Sequence, residues 1–360
     1  VSCHLPIQPF QAPKEHIMKA IAYRQPGSID RIDALIDVEL PRPKATGRDV
    51  LVAVEAVSVN PVDTKVRAAS PPFNGRSERV LGWDASGVVE AVGPDVTLFK
   101  VGDAVFYAGS IARDGSNAQY QVVDERIVGH RPKTLSTVEA AALPLTAITA
   151  WETLFDRLRV RDRSEGTPGI LLIIGGAGGV GSIAIQLARA LTDMTVIATA
   201  SRSETHDWVR DLGAHHVVDH TMPLAQQIGA LGVAAPGFVF STTHTHRHLA
   251  DIAELIAPQG HLALIDDPSS LDILPFKRKA VAVHWELMFT RSLFGTSDVA
   301  EQGRLLNEVA RLVDSGAIRT TLTKTLSPIN AATLMDAHRQ IESSTTRGKI
   351  VLQGWESFDS

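Results

Sequence analysis

The stretch Gly169–Leu191, "GILLIIGGAGGVGSIAIQLARAL", decides the fold. A short apolar run reads as a buried strand, a cluster of glycines follows, and a helix with apolar periodicity starts at once. Gly176, Gly178 and Gly181 spell G-x-G-x-x-G, with Gly179 and Val180 inside the loop. Each glycine has a physical reason in such a strand–turn–helix unit. Gly176 permits the tight turn, Gly178 lets backbone N–H groups approach a pyrophosphate, and Gly181 allows close packing of helix on sheet. The helix N-terminus then faces the phosphate charge. The expectation is a dinucleotide site.

Downstream, "TVIATA", "HDWVRDL", "HHVVDH", "GFVFST", "HLADIAELI" and "GHLALID" alternate strand-like with helix-like segments. That alternation predicts a parallel, doubly wound sheet of Rossmann type. Upstream, from Met18 to about Pro144, valine-rich runs are broken by Gly and Pro: "MKAIAY", "DVLVAVEAVSV", "ASGVVEAVG", "DAVFYAG" and "AQYQVV". They predict a β-rich barrel or sandwich. "TVEAAALPLTAITAWETLF" joins the two with helical spacing, and the tail adds two amphipathic helices and a last strand, "GKIVLQ". The fold class is therefore α/β: a β-rich domain plus a parallel-sheet domain.

Composition narrows the partners. The 360 residues are 44% hydrophobic and 21% charged, enough for two domains with filled cores. A net charge of -5 gives no general attraction for nucleic acid or an anionic membrane. No apolar run approaches the roughly 20 residues that span a bilayer. The single cysteine, Cys3, excludes an internal disulfide framework and points to a reducing, cytoplasmic location. Residues 1–17 lack the basic start and apolar core of a signal peptide. They read as an upstream extension or an expression remnant, with Met18 as the natural start.

The choice of dinucleotide depends on the end of the strand after the glycine loop. An NAD site usually places Asp or Glu there, on the ribose 2′-hydroxyl. Here "TVIATA" runs into Ser201, Arg202 and Ser203. Arg202 can pair with a 2′-phosphate and the serines can donate to it, so NADPH is expected. The competing reading of Arg202 is a solvated surface arginine.

With these motifs in order, the chain resembles the medium-chain dehydrogenase/reductase superfamily, and within it the zinc-free quinone oxidoreductase branch related to zeta-crystallin. "SVNPVDTKVR", "LGWDASGVVEAVG", "GDAVF", "AAALPLTAITAWE", "GGAGGVGS", "LGAHHVVDH" and "RGKIVL" carry the resemblance. It implies a GroES-like catalytic domain from residues 18–146 and 308–360, and a Rossmann NADP-binding domain at 147–307. Zinc-dependent relatives need a cysteine where this chain has Asn60 and a histidine where it has Trp83, and neither residue here is a plausible zinc ligand. No metal is therefore expected. Trp83 walls an apolar pocket for a flat substrate, or packs between the domains.

The resemblance places Asn60 beside the nicotinamide, Asp63 as an orienting residue and Lys65 as a cationic donor. Tyr107 is a further donor candidate; Asp63 and Lys65 read equally well as a surface pair. It also implies cofactor contacts at Thr149, Val180, His220, Ser241, Thr242 and Lys349. "STTHTHRHLADI" brings His244, His246 and His248 close together, read as a polar loop rather than a metal site. The resemblance further implies that strand "AVAVHWE" is a sheet edge paired across a two-fold axis in a homodimer, the alternative being a plain edge within a monomer. Trp285, at its end, borders the substrate cleft.

The expected function is hydride transfer from NADPH to a quinone or activated conjugated carbonyl, without zinc. Alternatives are a 2-alkenal or enoyl reductase, a zinc-dependent alcohol dehydrogenase, and a non-enzymatic NADPH-binding protein.

Overall fold

Strand Ile170–Ile174 lies mid-sheet, and both its faces are covered. Ile170, Leu172 and Ile174 pack into one apolar cluster, while Leu171 and Ile173 pack into another. A parallel strand buried on both sides needs such an uninterrupted apolar run. The computed structural model describes residues 17–356. Cys3 and all of the 1–17 extension except Ile17 lie outside the described residues.

Around that strand, six parallel strands run in the order 216–218, 195–199, 170–174, 238–241, 261–264 and 282–285. This is the doubly wound order: all strands point the same way, and the order in which they are added reverses beside the glycine loop. The β-rich unit has a seven-stranded sheet built on Asp49–Ser58, Ala85–Val92, Ala104–Tyr107, Tyr120–Asp124 and Val128–His130. Its remaining strands, Leu322–Leu326 and Lys349–Gln353, come from the far end of the chain. Val351 lies opposite Ser58, and that register brings Lys349 to the start of helix Pro61–Ala69. A three-stranded sheet of Ile17–Tyr23, Ile36–Pro41 and Arg79–Val80 completes the unit.

Two local expectations need correction. The stretch read as continuous helix divides into Thr137–Ala141, Pro144–Trp151 and a π-helical segment, Glu152–Arg157. Pro144 has no N–H for the helical ladder, so it starts a new helix. The polar loop expected at His244–His248 is shorter than its sequence suggested. Helix Thr245–Leu255 begins inside it because Asp266 accepts from the Thr245 N–H at 2.8 Å and from its hydroxyl at 2.5 Å.

Candidate active site

Where the C-terminal return meets helix Pro61–Ala69, a lysine is sealed inside the protein. Lys349 is 2% exposed, and its ammonium has three protons to place. They go to Asp84 Oδ2 at 2.9 Å, Asn60 Oδ1 at 2.5 Å and the Val59 carbonyl at 3.1 Å. Asn60 donates from Nδ2 to the same Asp84 oxygen at 2.8 Å, which fixes its amide orientation. The other Asp84 oxygen accepts from the Leu145 N–H at 2.7 Å, tying in the helix that starts at Pro144. Burial pushes the Asp84 carboxyl upward, while Lys349, the Leu145 N–H and Asn60 pull against that.

Asp63 is equally buried, and its Oδ2 accepts from the Asn60 N–H at 2.6 Å as the third residue of a helix-capping arrangement. Burial raises its pKa to about 7, against the pull of the Asn60 N–H and Lys349 and with a push from Asp84. Asn60, Asp63 and Lys349 thus come together, and Asp84 is their hub. Sequence reading did not single out Asp84. The available signal was a carboxylate in the otherwise apolar "LGWDASG".

The glycine loop lies directly against this cluster. The Gly348 N–H donates to the Ala177 carbonyl at 2.9 Å, and Gly178 and Gly348 form a parallel bridge. A Cβ on Gly179 would stand 3.0 Å from Lys349 Cδ and 3.1 Å from Thr146 Cγ2. Gly181 has no room at all: a Cβ there would lie 2.3 Å from the Gly175 carbonyl oxygen. At Gly178 the nearest atom would be 3.6 Å away, and no side chain caps the first turn of helix Gly179–Leu191. Uncapped N–H groups, an open glycine and a helix N-terminus make a cradle that fits a pyrophosphate.

The remaining residues lie apart from this cluster. Thr149 is buried, and its hydroxyl donates to the Leu145 carbonyl at 2.8 Å. Ser241 and Thr245 share a 2.8 Å hydroxyl contact, while Thr242 donates to the Ile174 carbonyl at the strand end. Ser201 and Arg202 are exposed, and Arg202 donates to the Thr345 carbonyl at 2.8 Å with Glu204 3.6 Å away. His220 is half-buried with its ring 6.5 Å from His248. Burial pushes its imidazole pKa down, Asp219 pulls it up, and His244 and His206 lower it further.

Four residues stand outside the buried cluster. Lys65 is exposed and paired with Asp267 at 2.6 Å rather than with Asp63. That pair joins helix Pro61–Ala69 to the segment after strand His261–Leu264. Trp285 is 55% exposed at the sheet edge. Trp83 is fully buried, with its indole N–H donating to the Ser110 carbonyl at 3.2 Å and its ring edge-on to Phe289 at 5.9 Å. Trp83 is thus packed against Phe289 in this structure. Tyr107 is likewise sealed from solvent, and its hydroxyl has no partner among the described residues. Burial pushes its pKa upward, so it keeps its proton.

Comparison with known proteins matches this architecture. Residues 46–133 match the alcohol dehydrogenase GroES-like domain, and residues 212–352 match the zinc-binding dehydrogenase family. A zinc-type alcohol dehydrogenase-like protein of Staphylococcus aureus is 39% identical over 93% of this chain and 99% of its own.

The chain belongs to the medium-chain dehydrogenase/reductase superfamily.

It is an oxidoreductase of that superfamily, with a GroES-like domain and a Rossmann domain that carries a nicotinamide-dinucleotide site. A Rhizobium etli structure, provisionally assigned as a zinc-dependent alcohol dehydrogenase, is 62% identical with a TM-score of 0.93, covering 95% of this chain and 99% of that one. A mycobacterial relative solved with NADPH is 25% identical, with a TM-score of 0.77 over 93% of this chain and 99% of its own. The quinone oxidoreductase of Coxiella burnetii is 25% identical, with a TM-score of 0.76 over 94% and 100%. Among the described residues no helix is long and apolar enough to cross a membrane.

The zinc of the family descriptions does not suit the residues present. Trp83 offers an N–H rather than a lone pair, and it is already bonded. The Asn60 oxygen and the Asp84 carboxylate are both engaged by the Lys349 ammonium. Zinc sites are built from thiolate, imidazole and carboxylate donors. A cation fixed to this oxygen pair repels a second one.

Proposed function

We propose that this chain is a zinc-independent reductase that uses NADPH to reduce a quinone or an activated conjugated carbonyl. The observation that carries the reading is Lys349: its ammonium takes up the Asn60 and Asp84 oxygens on which a metal would otherwise depend. Bound NADPH would supply a hydride, and a quinone accepting it becomes a hydroquinone anion that takes its proton from solvent or a side chain. Quinones suit such a site because the resulting charge is delocalised without a Lewis acid.

The protein's own part is to bind and to orient. The uncapped N-terminus of helix Gly179–Leu191 holds the pyrophosphate, and Arg202 with Ser201 offers donors to a 2′-phosphate. Lys349 fixes the Asn60 amide and joins the glycine loop to the catalytic sheet. The NADPH-bound and quinone-reducing relatives support this reading. The outer edge of strand Ala282–Trp285 has no strand partner among the described residues, and Trp285, Leu287 and Phe294 beside it are exposed. Pairing of that edge in a homodimer would cover both.

The test is the rate of NADPH oxidation by chelator-treated protein given a simple ortho-quinone, with NADH in parallel. Retained activity that favours NADPH is the expected result. Activity that vanishes on chelation and returns with zinc would defeat the proposal.

A further inference from the structure

The small three-stranded sheet borders a cavity of about 630 Å³ whose lining shares no residue with the Lys349 cluster or the glycine loop. We propose that this cavity is a second small-molecule site, which takes an uncharged aromatic molecule carrying an O–H donor, a phenol.

The walls come from buried apolar pattern and fixed loops. Met18, Val80 and Ala118 form one buried cluster with Leu40 and Tyr120 packed against it, and all five line the cavity. Ala112–Gly115 add a further part of the lining. That loop is tied to the sheet, because the Gly115 N–H donates to the Val80 carbonyl at 3.0 Å and the Asn117 N–H to the Leu81 carbonyl at 2.9 Å. A Cβ on Gly115 would lie 2.3 Å from the Leu81 carbonyl oxygen, so only glycine lets the loop come this close. Phe73 and Tyr120 bring two rings to the lining. Each carries a guanidinium over it, Arg79 at 4.2 Å from the Phe73 centroid and Arg42 at 4.0 Å from that of Tyr120. A preformed, mostly apolar space of roughly 300–1,000 Å³ is what small-molecule sites offer.

The chemistry of the occupant follows from what the lining has left over. Its charged residues are Arg76, Glu78, Arg113 and Asp114, two of each sign. All four are already paired: Arg76 with Asp114 at 2.9 Å, Arg113 with both oxygens of Asp49 at 2.7 and 3.0 Å, and Glu78 with Arg24 at 3.6 Å. An ion entering here would meet no spare counter-charge, so the occupant is neutral.

Hydrogen bonding is not balanced in the same way. Gln121 is 4% exposed, and its Nε2 donates to the Asp114 carbonyl at 3.0 Å. That bond sets the amide orientation and leaves Oε1 as the outstanding atom. Gln121 Oε1 and Asp114 Oδ1 are both buried, and neither has a donor among the described residues. Both residues line the cavity. A buried acceptor without a donor is costly, and an O–H on the occupant removes that cost. The bond to Asp114 would be charge-assisted. A phenol combines such a donor with a flat apolar ring for Phe73, Tyr120 and Met18. An alkyl amine would arrive charged, and a plain hydrocarbon would leave both oxygens unmet.

The experiment titrates the full chain, methyl-labelled at Met, Leu and Val, with 4-methylphenol and with 4-methylanisole, which has nearly the same body but no donor. The NMR signals report which methyls respond. 4-Methylphenol should shift those of Met18, Leu40 and Val80, and 4-methylanisole should bind there about tenfold more weakly, the worth of one hydrogen bond. Gln121→Met removes an acceptor at similar volume. It should weaken 4-methylphenol about tenfold and leave 4-methylanisole and the dinucleotide unchanged. The pair of probes on the parent chain decides the matter even where that variant does not fold. Silence at these three methyls, equal affinity for the two probes, or equal losses for both in Gln121→Met would each overturn the proposal. A response confined to Leu145 and Val180, beside the Lys349 cluster and in the glycine loop, would put the phenol in the cofactor cleft and overturn it as well.

Discussion

The two ends of the cofactor cleft are built on opposite terms. At the inner end, Lys349 spends every proton on Asp84, Asn60 and Val59, and Asp84 accepts from three donors. At the outer end, Ser201 and Arg202 are exposed, and Arg202 holds one backbone carbonyl and a loose contact with Glu204. A closed hydrogen-bond network in low dielectric is rigid and leaves nothing to offer a ligand. An exposed guanidinium keeps donors free for one. On the proposed function, the inner end would position and the outer end would recognise.

The sharpest way to break this contrast is Lys349→Met. Removing one partner of a buried ion pair leaves Asp84 uncompensated, and about 3–5 kcal/mol of stability should be lost in denaturant unfolding. Adding Asp84→Leu should recover much of it, since a pair replaced by apolar groups is far cheaper than a pair half removed. A single variant as stable as the parent would mean the inner cluster is not closed.

Arg202→Ala tests the outer end. Loss of a charge-assisted contact should weaken NADPH about tenfold, close to 1.4 kcal/mol, with NADH affinity unchanged and folding unaffected. Equal losses for both cofactors would remove the recognition role. The smallest effect belongs to Lys65→Met. Its pair with Asp267 is 2.6 Å long, but both side chains are exposed, so stability should change by less than about 1 kcal/mol. A larger change would show that the rim, too, is a fixed part of the scaffold.

Legibility followed the same division. The glycine loop could be read because its constraints are local: Gly175 has φ +82°, and Gly181 faces the Gly175 carbonyl within its own turn. The parallel sheet could be read because burial on both faces leaves continuous apolar runs. Lys65 and Trp83 could not be placed in the same way. A lysine on a short helix reads alike whether it faces a nicotinamide or Asp267. A tryptophan beside an aspartate does not announce whether it lines a pocket or packs on Phe289. The helical spacing around Trp151 gave no warning of the π-helical segment that follows it.

By itself, then, the sequence determined the two-domain α/β plan, the turn of the glycine loop and the absence of the usual zinc donors at positions 60 and 83, because each is a matter of local periodicity or residue chemistry. Tertiary structure alone decided that Lys349 lands between Asn60 and Asp84, and that Glu152 meets Arg291 and Gln302. Those encounters depend on register and packing between segments far apart in the chain, and a buried charge has meaning only through the partner that folding brings to it.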